Sequence, residues 1–265
     1  MHHHLTTPDG TRLAYRTHTP TSPAPAQPPT VLLHGLAGHM SEWDALTDLL
    51  LQAGHEVIAY DARGHGASTR RPPTMTRAAC VTDAVSLLNH LSLSPATLIG
   101  QSLGGHTALL AAAAHPDLVS SLILIEAGPG GPNPTLPTEI STWLSSWPTP
   151  FPSLTEAESF LGHEAWARGL EEREEGWYPR FDADQMTAAV AELATHSYWQ
   201  EWAKITCPTL LITGGNGTIP AEEVTRMKTH RPAMHLTTIP NAGHDVHLDQ
   251  PRKVYEAIAT FLQTA

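Results

Sequence analysis

The stretch that decides the fold is Gly100-Gln101-Ser102-Leu103-Gly104-Gly105. An apolar run, Ala96-Thr97-Leu98-Ile99, comes before it, and a helical run rich in Ala and Leu follows over residues 106–114. Strand, Gly-x-Ser-x-Gly and helix in this order are typical of a nucleophile elbow, which exposes a serine hydroxyl at the carboxyl end of a strand. The flanking glycines have no Cβ atoms that could clash in so sharp a turn. The pattern therefore predicts Ser102 as a nucleophile, and the alternative is an ordinary Gly/Ser-rich turn.

Length and composition indicate one large α/β domain. The chain has 265 residues, with 26 acidic and 15 basic side chains and a net charge of -11. This balance, with no basic stripe, argues against a nucleic-acid partner. No apolar stretch is long enough to span a membrane, and the first residues, Met1-His2-His3-His4-Leu5, lack the features of a signal peptide. We expect a cytoplasmic protein that has no membrane partner and no metal site at the N-terminal histidines. Cys80 and Cys207 are expected to be buried thiols.

Strand and helix patterns alternate along the chain, which predicts a mostly parallel sheet with helices on both faces. The first two strands are expected to form a hairpin around Pro8-Asp9-Gly10, and the Pro-rich run 19–29 a surface connection. The predicted strands are residues 5–7, 13–17, 30–34, 56–60, 96–99, 121–125, 209–213 and 235–239. The predicted helices between and after them are residues 43–53, 77–91, 106–114 and 251–262.

The run 128–204 interrupts this alternation and predicts a helical cap inserted between two strands. Its patterns over 156–174 and 183–194 are helical, and the run holds six of the seven tryptophans of the chain. The sequence therefore divides into a core, 1–127 with 205–265, and a cap, 128–204. The rings of Trp143, Trp147 and Trp177 are predicted to line an apolar substrate pocket above the nucleophile. The alternative is that these rings form only the core of the cap.

Four ordered motifs resemble those of the α/β-hydrolase superfamily, in its cap-bearing esterase, haloperoxidase and epoxide-hydrolase-like branch. They are His34-Gly35, the run Asp61-Ala62-Arg63-Gly64-His65-Gly66-Ala67-Ser68, the Ser102 elbow, and Asn241-Ala242-Gly243-His244-Asp245. The resemblance covers nearly the whole chain and implies an α/β-hydrolase fold, with an eight-stranded, mostly parallel sheet and a helical cap. In this family the second motif is structural, so hydrogen bonds from Asp61 and Arg63 are expected to hold its loop. The motifs indicate the superfamily and leave the substrate open.

A serine hydroxyl needs a general base within hydrogen-bond reach, and His244 is the best candidate among 17 histidines. It follows the last predicted strand, and the family's order of triad residues places the histidine last. His247 is the competing candidate. His34 is better suited to fixing the backbone of the loop that binds the oxyanion. The oxyanion hole itself is expected from the backbone N–H groups of Leu36 and Leu103.

The acid that orients the histidine is less obvious from the sequence. The usual loop, 213–220, offers Asn216 where the resembling families have Asp, and a neutral amide cannot stabilise imidazolium by charge. Glu126 directly follows the sixth predicted strand, at the sheet edge where the elbow opens. Some haloalkane dehalogenases and a fungal resorcylic-lactone hydrolase, which this segment resembles, place their acid there. We predict Glu126, at roughly 2.6–3.2 Å from a ring nitrogen of His244. The alternatives are Glu222, Glu223 or no charged member.

Together these residues predict a serine hydrolase that cleaves a carboxylic ester or lactone through an acyl-enzyme. The expected substrate is a small molecule with an apolar portion, and no metal or organic cofactor is implied. Three rival activities fit the same residues. They are a cofactor-free haloperoxidase or perhydrolase, a C–C bond hydrolase or lyase, and a ligand-binding protein without turnover. The identity of the substrate and the oligomeric state do not follow from the sequence.

Overall fold

The computed structural model describes residues 2–22 and 27–264. In chain order its strands are β1 (His3–Thr6), β2 (Arg12–His18), β3 (Thr30–Leu33), β4 (Val57–Tyr60), β5 (Ala96–Gln101), β6 (Val119–Ile125), β7 (Glu171–Arg173), β8 (Gly176–Tyr178), β9 (Thr209–Gly214) and β10 (His235–Ile239). The helices are α1 (Asp44–Gln52), α2 (Arg77–Leu91), α3 (Ser102–Ala114), α4 (Leu136–Ser145), α5 (Leu154–Leu161), α6 (Glu164–Arg168), α7 (Ala183–Val190), α8 (Trp199–Lys204), α9 (Ala221–His230), α10 (Val246–Asp249) and α11 (Pro251–Leu262).

Eight of the strands form one sheet in the order β1-β2-β4-β3-β5-β6-β9-β10. The pairs β1–β2 and β2–β4 are antiparallel, and the remaining neighbours are parallel. Residues of α2, α3 and α8 pack on one face of the sheet, and residues of α1 and α11 pack on the other. The predicted mostly parallel, eight-stranded sheet with helices on both faces is confirmed.

The central strands are apolar on both faces because helices cover both faces. In β6, Leu122 and Leu124 join one apolar cluster, and Ile123 and Ile125 join the other. This follows from strand geometry, since successive side chains point to opposite faces of a sheet. Each such side chain, once buried, contributes about 1.5–3 kcal/mol. The parallel strands all end at one edge of the sheet, and the loops at that edge carry the candidate site.

The turn from β5 into α3 takes no intervening residue. α3 begins at Ser102, whose φ of 48° lies in the left-handed region that side chains with a Cβ rarely adopt. A Cβ on Gly104 would lie 2.3 Å from the carbonyl oxygens of Leu33 and His34, and one on Gly100 would lie 2.6 Å from backbone atoms of α3. Glycine at both positions is therefore required for α3 to pack so closely against β3 and β5.

The run 128–204 contains α4 to α8 together with a short antiparallel hairpin of β7 and β8. The single helix predicted over 156–174 is wrong. Gly162, with a φ of 84°, ends α5 in a left-handed cap, and a new helix starts after it. The end of the predicted helix, Glu171–Arg173, instead forms the first strand of the hairpin, and Phe151 pairs with Trp177 of the second strand. The helical pattern of the run produced the prediction, and strand pairing overrides that pattern over Glu171–Arg173.

The last helix of this run is attached to the sheet. Trp199 and Trp202 of α8 join the apolar cluster that holds α3, and the Trp202 indole N–H donates to the Met227 carbonyl at 3.2 Å. These two rings therefore stabilise the core of the main sheet. The division into a core of 1–127 with 205–265 and a cap of 128–204 stays a prediction, and "cap" below means residues 128–204.

Three smaller predictions concern the rest of the chain. Cys80 is buried, Cys207 is half-buried, and both are free thiols. The Pro-rich connection predicted over 19–29 includes residues 23–26, which lie outside the described residues, as does Met1. Across the described ranges, 2–22 and 27–264, the helices are all too short or too polar to cross a bilayer.

The glycine requirement at the elbow is testable by stability. We expect Gly104→Ala to destabilise the fold by about 2–3 kcal/mol because its Cβ would meet two carbonyl oxygens of the adjacent strand end. For a chain of this size that corresponds to a melting temperature lower by roughly 4–10 °C. The control is Gly131→Ala, where a Cβ would meet nothing within 4 Å. Equal melting temperatures for the two variants would contradict the proposed packing constraint.

Candidate active site

One cavity of about 680 Å³ collects the predicted reactive residues. Ser102, His244 and Glu126 all line it, although they come from three distant parts of the chain. Leu36 and Leu103, predicted for the oxyanion hole, line the same cavity. The cap supplies the opposite wall. The topology brings these five residues together because β3, β5, β6 and β10 all end at the same edge of the sheet.

The predicted nucleophile and one predicted oxyanion donor lie in the first turn of a helix. Ser102 is half-buried at the start of α3, and Leu103 is the next residue. Backbone N–H groups in the first turn have no carbonyl four residues earlier to bond, so they are free to face a ligand. The helix dipole adds positive potential at the same place. An anion that develops next to Ser102 would be stabilised there.

Two buried histidines hold the loop that carries Leu36, the second predicted oxyanion donor. His34 Nε2 accepts the Ala62 N–H at 3.0 Å, so its proton lies on Nδ1, which donates to the Gly35 carbonyl at 2.8 Å. His65 Nε2 accepts the N–H of Ala37 at 3.1 Å. Burial lowers the pKa of His34 to about 4 and that of His65 to about 3, so both rings are neutral near pH 7. His34 thus fixes the backbone and is not available as the base.

The Asp61 motif is structural, as its resemblance to the family implies. Asp61 accepts backbone N–H groups of Met40 at 2.7 Å and Ala67 at 2.8 Å through its two oxygens. Arg63, which is buried, makes a two-pronged ion pair with Asp83, with both distances at 2.6 Å. These contacts join the loop after β4 to α2 and to the loop after β3 that carries Leu36 (residues 34–40), called the oxyanion loop below. They hold both loops in place.

The contact between His244 and Glu126, its predicted acid, differs from the expected one. The Glu126 carboxylate lies 3.6 Å from His244 Nδ1, outside the expected hydrogen-bond range of roughly 2.6–3.2 Å. The Thr218 hydroxyl is closer, at 2.8 Å from the same nitrogen, and it lies 3.4 Å from Glu126 Oε2. Thr218 can accept the ring proton and donate to the carboxylate. Sequence reasoning missed this residue because it searched the loop after β9 only for an acid.

Glu126 is held by backbone amides. Its side chain is fully buried, and it accepts the N–H groups of Gly214 at 2.8 Å, Thr218 at 2.6 Å and Ile219 at 3.2 Å. Burial alone raises the pKa of Glu126, but His244 and the three amides outweigh it, and the pKa falls below its usual value. The φ of Glu126 is 49°, so its backbone is strained as well. The result is a buried, ionised carboxylate beside the histidine.

The competing candidates lie elsewhere. His247 is buried beside Trp43, with ring centroids 4.5 Å apart, and it does not line the cavity. Glu223 accepts a backbone N–H from the start of the cap at 2.8 Å, and Glu222 and Asn216 are exposed. None of these three side chains is bonded to the His244 ring among the described contacts.

The cap wall uses different tryptophans from those predicted. Trp143 lines the cavity, and so does Trp166, which the sequence analysis did not select. The prediction is wrong for Trp147 and Trp177, which do not line it. Trp147 is buried and packs edge-on against Phe151, and Trp177 lies in the hairpin β7–β8. The hairpin turns this part of the cap away from the cavity, and the sequence pattern did not reveal the hairpin.

The charge of the cavity is one-sided. Its lining contains the carboxylates of Glu126, Glu223 and Asp245, and within the described residues it contains no Lys or Arg. Burial raises the pKa of Glu223. The helix α4 contributes the apolar side chains of Leu136 and Ile140 to the cap wall of the cavity. Within the part of the chain that the structure describes, no three His, Cys, Asp or Glu side chains group as metal ligands.

A mostly parallel sheet, a serine on the turn after its central strand and a histidine after its last strand define the class of α/β hydrolases. Comparison with known proteins agrees with this class. Residues 30–257 match the model of the alpha/beta hydrolase family, and the chain belongs to that family.

Two relatives and one solved structure narrow the comparison. The chain is 30% identical over 253 residues to the sn-1-specific diacylglycerol lipase ABHD11 of Mus musculus, which covers 89% of this chain and 81% of the lipase. It is 27% identical over 244 residues to the esterase YbfF of Escherichia coli. That match covers 88% of this chain and 92% of the esterase. The crystal structure of E-2-(acetamidomethylene)succinate hydrolase shares the fold, with a TM-score of 0.87 and 21% identity. The match covers 99% of this chain and 100% of that hydrolase. The names of the two relatives, a lipase and an esterase, support an enzyme that hydrolyses small-molecule esters.

The ionised Glu126 should make stability depend on pH. Its pKa is lower in the folded protein than the value of about 4.3 in an unfolded chain, so its charge stabilises the fold above that pH. This contribution is lost as the pH falls through the folded pKa. We therefore expect Glu126→Gln to lower the melting temperature at pH 7, with a gap to wild type that narrows towards pH 3. Thermal scans from pH 3 to 8 measure the gap.

The control for this measurement is Glu222→Gln, which changes an exposed carboxyl on α9 and should leave the melting temperature within about 1 °C of wild type. A gap for Glu126→Gln that stays constant over the whole pH range would contradict a buried, ionised Glu126.

Proposed function

We propose that this protein is a serine hydrolase that cleaves neutral carboxylic esters or lactones with an apolar portion through an acyl-enzyme intermediate. The observation that carries the proposal is the meeting of Ser102, His244 and two oxyanion-hole candidates in one cavity. A hydroxyl, a base and converging backbone N–H groups are the parts that acyl transfer needs. The coarser conclusion, an ester-hydrolysing member of its family, follows from the relatives; the triad and the acyl-enzyme belong to this proposal.

The reaction follows from the roles of these groups. Ser102 Oγ attacks the acyl carbonyl while His244 takes its proton, and the Leu36 and Leu103 N–H groups bind the developing oxyanion. His244 then protonates the leaving alcohol oxygen. In the second half, His244 activates a water that releases the acid and returns the proton to Ser102. Glu126 stabilises the imidazolium in both halves, partly through the Thr218 hydroxyl.

The charge of the cavity supports a neutral substrate. Three carboxylates in a lining without Lys or Arg repel an anionic substrate and leave its charge unpaired. The fold-sharing hydrolase is named for a succinate, which is a dicarboxylate. A dicarboxylate of that kind does not suit this cavity. The apolar wall formed by α4, with Leu136, Ile140 and Trp143, suits a hydrocarbon portion of an ester instead.

The test is hydrolysis of a panel by the purified protein and by Ser102→Ala. The panel holds p-nitrophenyl acetate, butyrate and octanoate, a neutral lactone, and p-nitrophenyl hemisuccinate as the anionic ester. We expect kcat/KM for the neutral esters to exceed that for the hemisuccinate by at least about tenfold, since one like charge brought close in a partly buried site costs more than 1.4 kcal/mol. Ser102→Ala should lose at least about 10³-fold in kcat.

A fluorophosphonate probe adds a second measurement. It should add its mass to the peptide that contains Ser102, and Ser102→Ala should stay unlabelled. Labelling at another residue, together with full esterase activity of Ser102→Ala, would refute the proposal. Turnover that requires peroxide would favour the haloperoxidase alternative, and tight binding of esters without product would favour the ligand-binding one.

The proposed acid and its intervening hydroxyl can be separated by mutation. Glu126→Gln removes the charge that stabilises imidazolium and should lower kcat by up to about 10⁴-fold. Thr218→Val removes only the hydroxyl and should lower kcat by roughly 10- to 100-fold, because one hydrogen bond to a charged group is worth about 1.5–3 kcal/mol. Thr218→Ser keeps the hydroxyl and serves as the control. If Thr218→Val retains the full kcat, His244 is oriented by Glu126 alone.

A further inference from the structure

The side chain of Gln101 lies where the parts of the active site meet. It is buried, and it immediately precedes Ser102. Its Nε2 donates to the His244 carbonyl at 3.2 Å and to Asp245 Oδ1 at 3.3 Å. A Cβ on Gly35 would lie 2.2 Å from Gln101 Oε1, so the other end of the amide packs against the oxyanion loop. One amide next to Ser102 thus contacts two loops. They are the oxyanion loop and the loop after β10 that carries His244 (residues 240–245), called the base loop below.

Asp245 extends this contact to the cap. Its second oxygen, Oδ2, accepts the indole N–H of Trp166 at 3.0 Å. Trp166 lies on α6 of the cap and lines the same cavity as Ser102. The Asp245 carboxylate therefore accepts one hydrogen bond from the cap and one from the residue next to the nucleophile. Hydrogen bonds to a carboxylate are shorter and stronger than neutral ones, and they fix the direction of their donors.

The rest of α6 and its preceding residue are tied to the same loops. His39 Nε2, at the end of the oxyanion loop, lies 2.8 Å from the Ala165 carbonyl and is placed to donate to it. His163 Nε2 lies 3.2 Å from Asp249 Oδ1, and Asp249 Oδ2 accepts the N–H of Gly243 at 2.6 Å. Gly243 directly precedes the catalytic histidine candidate. The helix α6 therefore contacts the oxyanion loop and Asp245 of the base loop, and the residue before α6 contacts Asp249, which binds the N–H of Gly243.

We infer that Gln101 and Asp245 are positioning residues, and that Trp166 completes their arrangement, so that the seating of α6 controls the rate of the chemical step. This inference rests on the proposed function, because it concerns the same serine and histidine. Reacting groups lose rate steeply when they are displaced by about 1 Å. The contacts of Trp166 make the cap part of the apparatus that aligns the groups, in addition to its role as a wall of the cavity.

The test compares Trp166→Phe and Asp245→Asn with wild type. Phe keeps an aromatic ring and removes the N–H donor, and Asn has one carbonyl oxygen for two donors. Both variants should lower kcat for p-nitrophenyl acetate and octanoate alike by about tenfold, with KM changed less than about twofold. The rate of labelling by a small fluorophosphonate should fall by a similar factor. Trp177→Phe is the control, because Trp177 lies in the cap and does not line the cavity; it should retain wild-type kcat and labelling rate.

A double variant decides whether the two residues act through one contact. Trp166→Phe/Asp245→Asn should lose no more kcat than the worse single variant, whereas independent effects would multiply. Multiplied losses would overturn the inference, as would a raised KM for octanoate alone with unchanged labelling. Because the single variants break the contact from opposite sides, unfolding of one leaves the other to decide. If Ser102→Ala hydrolyses esters as wild type does, the proposed function fails. If Ser102→Ala is inactive but Trp166→Phe and Asp245→Asn behave as wild type, the inference alone fails.

Discussion

The close approach of α3 to β3 and β5 is the constraint on which the rest of the structure depends. It requires a helix that starts without a connecting residue, a serine with a φ of 48°, and glycines where a Cβ would meet backbone at 2.3 to 2.6 Å. The strain is local, and the buried sheet on both sides holds it. In return the turn places a hydroxyl and unbonded N–H groups at one point. The loops at the sheet edge are then arranged around that point.

Those loops are fixed mainly by neutral or fully paired groups. His34 and His65 are buried as neutral rings, Asp61 accepts two backbone amides, and Arg63 is matched by Asp83. A buried polar group that is fully bonded rigidifies its surroundings, whereas an unpaired one costs stability. The frame around the site is therefore stiff. Ionised carboxylate remains next to the ring of His244, where the proposed reaction generates positive charge.

The sequence predicts the sheet well because buried parallel strands leave continuous apolar runs, as in β6, and the elbow because its glycines have a steric cause. It also selects Ser102, His244 and Glu126, which the structure brings to one cavity. It fails where the deciding contact is distant in sequence. Thr218 lies 2.8 Å from His244 Nδ1 only because two loops meet, and Trp177 does not line the cavity because it lies in the hairpin β7–β8 and pairs with Phe151 on its other side. Neither contact leaves a periodic signal.

The way Glu126 is bound has a consequence for how such sequences diverge. The last residue of β9 and the loop after it supply three backbone N–H groups to this carboxylate, and every residue except proline has such a group. Most side chains in that loop can therefore change without loss of the backbone hydrogen bonds that hold Glu126. Gly217 and Thr218 are exceptions, since a Cβ on Gly217 would lie 2.0 Å from Glu126 Oε1 and the Thr218 hydroxyl bonds to both Glu126 and His244. Related sequences should therefore keep a glycine and the same backbone conformation in this loop even where its other residues differ.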